Sequence, residues 1–333
     1  MEWLVELVNE KKKHSRELTL VALGRDSSGH DAYWRDAWFI AGVTRLAIAA
    51  PSGRRRGSRI FGLGLDAGLV AMKVLFTARR GPFLASNPWV GAALKLLGRR
   101  DVSVTGIYAS RGSRSFTILR RILRSAPVVT TVALEAEAWV AEGGIATPVL
   151  YGNTFGYPVH EEADSSVLRI FIGGSSDRDY ACISKLEAEL RSSSRKSELI
   201  VVADEAPSNW SNDFATIQHT GRISAQEFGD RIAKSDVVFL PLLQNGRAAG
   251  HMVTVGALES GVPVVSTDTP GMQGYVDGRF VRYSNDDEAL LDQLEVAAEF
   301  GKSNRGAIRD YWMSKFSLSA YISRVGAALA SIR

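Results

Sequence analysis

Two short stretches carry residue types suited to an anionic ligand. "GGSSDRDY" (173–180) joins an apolar run to a helical one. Gly173 and Gly174 let backbone N–H groups approach a ligand closely, Ser175 lies in the same turn, and Arg178 brings a guanidinium that can fork onto phosphate oxygens. In "AAGHMVTVGALESG" (248–261), Gly250 and His251 open a short helix directly after a strand. The N–H groups of His251, Met252 and Val253, with the Thr254 hydroxyl, would face an anion placed beyond the strand end. Both stretches predict phosphate binding at a helix start.

Three other features have weaker chemistry. Asp177-Arg178-Asp179 is a D-x-D string, two carboxylates that could hold a divalent metal. The intervening arginine and the helix-start position favour capping instead, so no metal site is assigned. In "TGRIS" (220–224), Arg222 and Ile223 follow a strand end. They can edge a nucleobase pocket through their backbone, or form an ordinary loop before a helix. "GRDSSGHDAYW" (24–34) offers His30 and Asp31 as bases for an acceptor hydroxyl, against their reading as turn residues.

The elements that must position these groups alternate. In the second half, strands are expected over 166–174, 197–205, 215–221, 236–243 and 262–268, and helices over 178–190, 224–235 and 251–260. Ser224 with Glu227 has the capping-box pattern. Strand–helix alternation predicts a parallel sheet with helices on both faces. In the first half, strands are expected over 17–24, 81–88, 102–109 and 126–134, with helices over 88–100 and 115–125. Glu135 and Glu137 read as solvated helix residues. The stretch 151–166 reads as a linker, and 308–333 as helical.

Composition is that of a globular protein: 333 residues, 45% hydrophobic and 23% charged, enough for two cores. The lone cysteine excludes an internal disulfide. Glu2, Glu6 and Glu10 precede the lysines of the opening segment, which is not the order of a signal peptide. The most apolar stretch (61–78) is interrupted by Asp66 and Lys73 and reads as a buried helix rather than a membrane span. A reducing, cytoplasmic setting is expected, with peripheral contact at the inner face of the membrane. Charge is unevenly placed. Residues 1–160 hold 22 Lys and Arg against 12 Asp and Glu, whereas residues 161–333 hold 18 against 24. The basic half would suit an anionic surface, an anionic acceptor or nucleic acid, and is otherwise simply a solvated basic face.

"FIGGSSDRDY", "IQHTGRISAQEFGDRIAKSDVVFLPLL" and "GALESGVPVVSTDTPG" together resemble the C-terminal domain of GT-B-fold glycosyltransferases, in particular the family called glycosyl transferases group 1 (family 4-like). The likeness runs over residues 166–298. It implies an α/β protein with two Rossmann-like domains facing across a cleft. Residues 1–155 would bind the acceptor, 156–309 the nucleotide sugar, and 310–333 would form a helix crossing back to the first domain. It further implies a nucleoside-diphosphate-sugar donor, no cofactor, no metal and a retaining outcome. The acceptor is open: a glycan, a lipid-linked glycan, a protein or modified nucleic acid. On matching positions, Arg178 would neutralise the diphosphate, Gly250 to Thr254 would supply N–H groups to it, and Arg222 and Ile223 would lie along the base.

The sequence departs from the family in four places. The E-x7-E glutamates fall on Ala248 and Gly256, with Glu259 one turn late. The Arg…Lys phosphate pair is reduced to Arg178, for which Arg247 is the candidate second cation. The family's N-terminal strand with its glycine turn is not evident where the chain begins. Three further functions therefore compete with an active transferase: a non-catalytic subunit partnering one, a transferase acting on modified DNA, and a nucleotide-sugar epimerase.

Overall fold

A computed structural model describes residues 18–23, 43–49, 59–77, 82–160, 166–174, 176–203, 209–244 and 248–331. The chain divides into two compact units, 1–149 with 321–333, and 150–320.

The first unit is built on strands β1 (Leu18–Leu23), β2 (Val43–Ala49), β3 (Phe83–Ala85), β4 (Val102–Thr105), β5 (Pro127–Thr130) and β6 (Ile145–Pro148). All are parallel, in the order β2-β1-β3-β4-β5-β6. An opening strand is therefore present: β1 lies inside the sheet, and the buried Leu20 and Val21 fix its place there. The glycine turn after it, with His30 and Asp31, lies outside the described residues. Helices α1 (Arg59–Thr77), α2 (Pro88–Leu96), α3 (Arg114–Ile122) and α4 (Ala133–Ala141) connect the strands from β2 onward. Each of these crossovers steps the same way across the sheet, so a right-handed hand places these helices on one face. Contacts of α2 with both α1 and α3 agree with that.

Local signals set the helix starts. The Asn87 side chain accepts from Trp89 N at 2.9 Å with Pro88 in the first turn, and Ser113 Oγ accepts from Phe116 N at 3.1 Å. Trp139 is fully buried with the Phe116 ring edge-on at 5.5 Å. One sequence expectation fails here and another holds in part. Glu135 is buried, not solvated, and accepts from Thr131 Oγ1 at 3.3 Å. Helix α1 is buried on one side only: Ala67, Val70, Ala71 and Val74 join the core, whereas Leu65, Leu69, Met72 and Phe76 stand exposed.

The second unit has strands β7 (Leu168–Gly173), β8 (Ser197–Val202), β9 (Trp210–Ser211), β10 (Ala215–Thr220), β11 (Val237–Leu240), β12 (Val264–Ser266) and β13 (Val281–Tyr283). Their order is β13-β12-β11-β7-β8-β10-β9, parallel except for the short β9 edge. Around them pack α5 (Tyr180–Ser192), α6 (Ala225–Ala233), α7 (His251–Ser260) and α8 (Leu290–Lys315). Helix α9 (Leu318–Ser331) follows, and from Tyr321 it counts with the first unit. The chain starts at the central β7, runs outward through β8 and β10, then returns to β11 on the other side. The sheet thus reverses direction between β7 and β11, and a crevice at such a switch point, outside the carboxyl ends of the strands, is where open α/β sheets bind ligands.

The segment read as a linker is held by its backbone. Phe155 N and Gly156 N each donate to the Glu259 carboxylate at 2.8 Å, Tyr151 N donates to Tyr275 Oη at 2.6 Å, and Asn153 N to Phe316 O at 2.8 Å.

Candidate donor-phosphate site at the sheet switch point

The loops leaving β7 and β11 are stitched across the switch point. Asp179 N donates to Pro241 O at 3.0 Å and Leu243 N to Asp177 O at 2.9 Å, with Arg178 bridged to Leu242 between them. Asp177 adopts φ 56°, a region non-glycine residues rarely occupy. Thr267, at the end of β12, clamps the same loop: its hydroxyl accepts from Leu242 N at 2.8 Å and donates to Leu242 O at 2.9 Å.

Arg178 lies beneath this stitch, buried. Its Nε donates to Gly173 O at 3.1 Å, Nη2 donates to the same oxygen, and Nη1 donates to Ser176 O at 2.9 Å. Burial pulls its pKa down to about 10, opposed by Asp177, so the group is still charged at neutral pH. Carbonyls take up its N–H groups and Asp177 acts on its charge, and a buried cation in such a turn still favours an anion nearby.

Gly174 runs beside it at φ 93°, where an added Cβ would sit 2.6 Å from Arg178 Nη2 and 3.6 Å from Val253 Cγ2. The β7 turn and the first turn of α7 are therefore neighbours. Gly250 takes φ 76° and caps α7 without a side-chain bond, so the N–H groups of His251, Met252 and Val253 have no intrahelical acceptor, and Thr254 N is the first to bond back, to Gly250 O at 2.9 Å.

The side chains of this turn differ from expectation. Thr254 is buried and its hydroxyl donates to Gly250 O at 3.2 Å within the helix. His251 packs edge-on to Tyr151 at 5.2 Å and tilted on Tyr275 at 6.0 Å. Burial drives its pKa down to about 4, so it is a neutral imidazole at pH 7, and its Nδ1 has no partner. Met252 is exposed and Val253 buried.

Gly173, Gly174, Arg178, Gly250 and Val253 thus share one corner. Arg222 and Ile223 follow β10, two strands from β7; Arg222 is exposed, and α6 behind it reaches the site through Phe228, whose ring would meet a Cβ on Gly173 at 2.5 Å. Ser175 and Arg247 lie outside the described residues.

The capping expectations hold in part. Asp179 Oδ1 accepts from Ala181 N at 3.0 Å and Cys182 N at 3.2 Å, which uses it as the α5 cap. Ser224 Oγ accepts from Glu227 N at 3.1 Å, but Glu227 turns to Arg231 at 2.8 Å and leaves the capping box half formed.

Glu259 is the residue sequence reasoning left unplaced. It is buried and spent on the 155–156 backbone, so it does not replace a family glutamate. Tyr157 was missed altogether. Its ring fills the space at Gly256 and also closes on Gly229 of α6. Two mid-helix glycines facing each other were the available signal, since such glycines mark close approach.

This architecture is an α/β GT-B fold, shared with solved glycosyltransferases and with at least one protein described as an epimerase. The family model of glycosyl transferases group 1 matches residues 176–299, which places the group 1 resemblance on the second unit. Similar solved structures include a sucrose-phosphate synthase from Thermosynechococcus elongatus, at 13% identity and TM-score 0.67, covering 95% of this chain and 99% of that one. Anabaena HepE in complex with UDP-glucose is similar at 13% identity and TM-score 0.59, with 95% and 100% covered. So is a UDP-N-acetylglucosamine 2-epimerase, described as putative, from Listeria monocytogenes, at 12% identity and TM-score 0.57, with 95% and 96% covered. At these identities the likeness is one of fold. A comparison with curated protein sequences gives no match. Among the described residues no helix is long and apolar enough to cross a membrane.

Proposed function

We propose that this protein transfers a sugar from a nucleoside-diphosphate sugar to an acceptor hydroxyl, without a metal and with retention at the anomeric carbon. The observation that carries the reading is the corner where the charged Arg178 underlies Gly174 and the free first-turn N–H groups of α7. Negative charge develops on the departing diphosphate, and preorganised donors aimed at it stabilise that charge most. A fixed cation and a helix N-terminus supply there what a divalent ion would otherwise supply. Neutral His251 adds one hydrogen bond without adding charge. HepE was solved with UDP-glucose, which supports a donor of this class. Arg222 and Ile223 would border the base. The acceptor would be held by the first unit, whose excess of positive charge suits an anionic acceptor or surface, with His30 and Asp31 as base candidates.

A panel of nucleoside diphosphates and their sugars, read by thermal shift, tests this. A ligand of the native state raises the midpoint. Arg178→Lys, which keeps charge but loses the fork, should reduce the shift. No shift with any diphosphate, and no donor hydrolysis, would leave the non-catalytic subunit as the better reading. Interconversion of a nucleotide sugar without an acceptor would favour the epimerase.

A further inference from the structure

The outward face of helices α1, α2 and α3 combines two properties that rarely coincide on a soluble surface. Along α1, Leu65, Leu69, Met72 and Phe76 recur at intervals of four, three and four residues, which is one helix face. Phe76 is 81% exposed and Leu65 66%. Leu96, at the end of α2, is 72% exposed, and Ile118 of α3 is also exposed. Large apolar side chains gathered this way mark an interaction surface rather than ordinary scatter.

Charge is the second property. The three helices contain six Lys and Arg and a single acid, Asp66, which is buried. The exposed cations Arg100, Arg114, Arg121 and Arg124 lie on or beside α2 and α3, with the exposed acid Asp101 beside them. Lys95 Nζ donates to Ser125 Oγ at 3.1 Å, which ties the ends of α2 and α3 together. The three helices share one side of the sheet, so these groups belong to one layer.

We propose that this layer docks on an anionic lipid membrane surface, with the α1 stripe and Leu96 entering the headgroup boundary and the arginines meeting lipid phosphates. The proposal rests on the reading that the basic unit meets an anionic surface, narrows it to lipid, and is independent of donor binding. Charge complementarity selects the occupant. A second copy of the same face would bring cations against cations. Nucleic acid would satisfy the arginines but leave Leu65, Leu69 and Phe76 without apolar company. A bilayer interface takes apolar side chains and basic side chains together.

Vesicle flotation with the full chain tests it, using phosphatidylcholine alone and with about one third phosphatidylglycerol. The wild type should float with the anionic vesicles and not the neutral ones, less so at about 0.5 M salt. Leu69→Ser/Phe76→Ser and Arg121→Glu/Arg124→Glu should each weaken partitioning by about tenfold or more. Both should keep the wild-type melting midpoint and any donor-induced shift, since all four residues are exposed. Absence of vesicle binding overturns the proposal, as does binding that survives both variants. Duplex DNA binding lost only in the arginine variant would assign the face to nucleic acid instead. A dimer in sedimentation that Leu69→Ser/Phe76→Ser dissolves would assign it to a second copy. Vesicle binding without any donor shift would sustain this proposal and remove the sugar-transfer one.

Discussion

The ring of Tyr157 rests on Gly256: a Cβ built on that glycine would stand 2.7 Å from its Cε2 and 3.1 Å from its Cδ2. From the other side the same ring closes on Gly229, where a Cβ would be 2.4 Å from Cδ1. Phe155 stacks on it at 5.0 Å. The family resemblance puts a glutamate at position 256. The space for that side chain is filled here by an aromatic ring, so the glutamate is excluded and not simply lost.

Restoring the glutamate should therefore harm the protein. Gly256→Glu is expected to lower stability by about 2 kcal/mol or more through overpacking, with no gain in donor binding. Adding Tyr157→Ala should recover about 1 kcal/mol or more of that loss, because the two positions touch. Chemical denaturation of the two single variants and the double variant measures this. A Gly256→Glu protein as stable as wild type would show that the ring moves aside freely.

Glu259 anchors the segment that presents Tyr157. Burial pushes its carboxyl pKa up, while N–H bonds from Phe155, Gly156 and Tyr157 and the charge of Arg309 hold it down. Glu259→Ala leaves buried donors unmatched and should cost about 2–4 kcal/mol. Glu259→Gln keeps an acceptor and should cost less. Equal losses in urea titration would argue that packing, not hydrogen bonding, is what Glu259 contributes.

His251 makes stability sensitive to acid. Its folded pKa of about 4 lies below the 6.5 of an unperturbed imidazole. The unfolded chain therefore binds a proton first as pH falls. The stabilising difference is complete above pH 6.5 and is lost between there and about 4, amounting to about 3 kcal/mol. His251→Phe lacks this titration. The stability gap between wild type and variant, measured at neutral and at acidic pH, should shift in the variant's favour on acidification. A constant gap would mean that the imidazole protonates as easily folded as unfolded.

Gly174 tests how tightly the β7 turn is built. An alanine there would have to hold φ 93° and clear Arg178 Nη2 at 2.6 Å. Gly174→Ala should cost about 1–3 kcal/mol and weaken nucleoside-diphosphate shifts, because the guanidinium is displaced. Calorimetric binding of a diphosphate at wild-type strength would place the anion elsewhere.

The order of elements in the second unit was legible because each has its own short-range signal. Apolar runs gave β7, β8, β10 and β11, Ser224 marked the start of α6, and the Gly250 and Gly261 punctuation framed α7. Strands β6, β9 and β13 were not legible: they are short, lie at sheet edges and carry little apolar pattern. In the first unit, "VTRLAIA" pairs as β2, a strand not expected from the sequence, where Arg45 interrupts the apolar run.

The sequence by itself determined which residues could meet a phosphate: glycines at turns, an arginine after a strand, a helix opening on Gly250. Those choices depend on backbone freedom and local periodicity, which neighbours in the chain set. Only the tertiary structure decided which of them are available. It turned Thr254 inward, discharged His251 by burial, folded Arg178 onto carbonyls and spent Glu259 on the 155–156 backbone. It also put Tyr157, nearly 100 residues away in sequence, into the place of the absent glutamate. Burial and long-range packing depend on what the chain brings alongside, and that is not written in any one stretch.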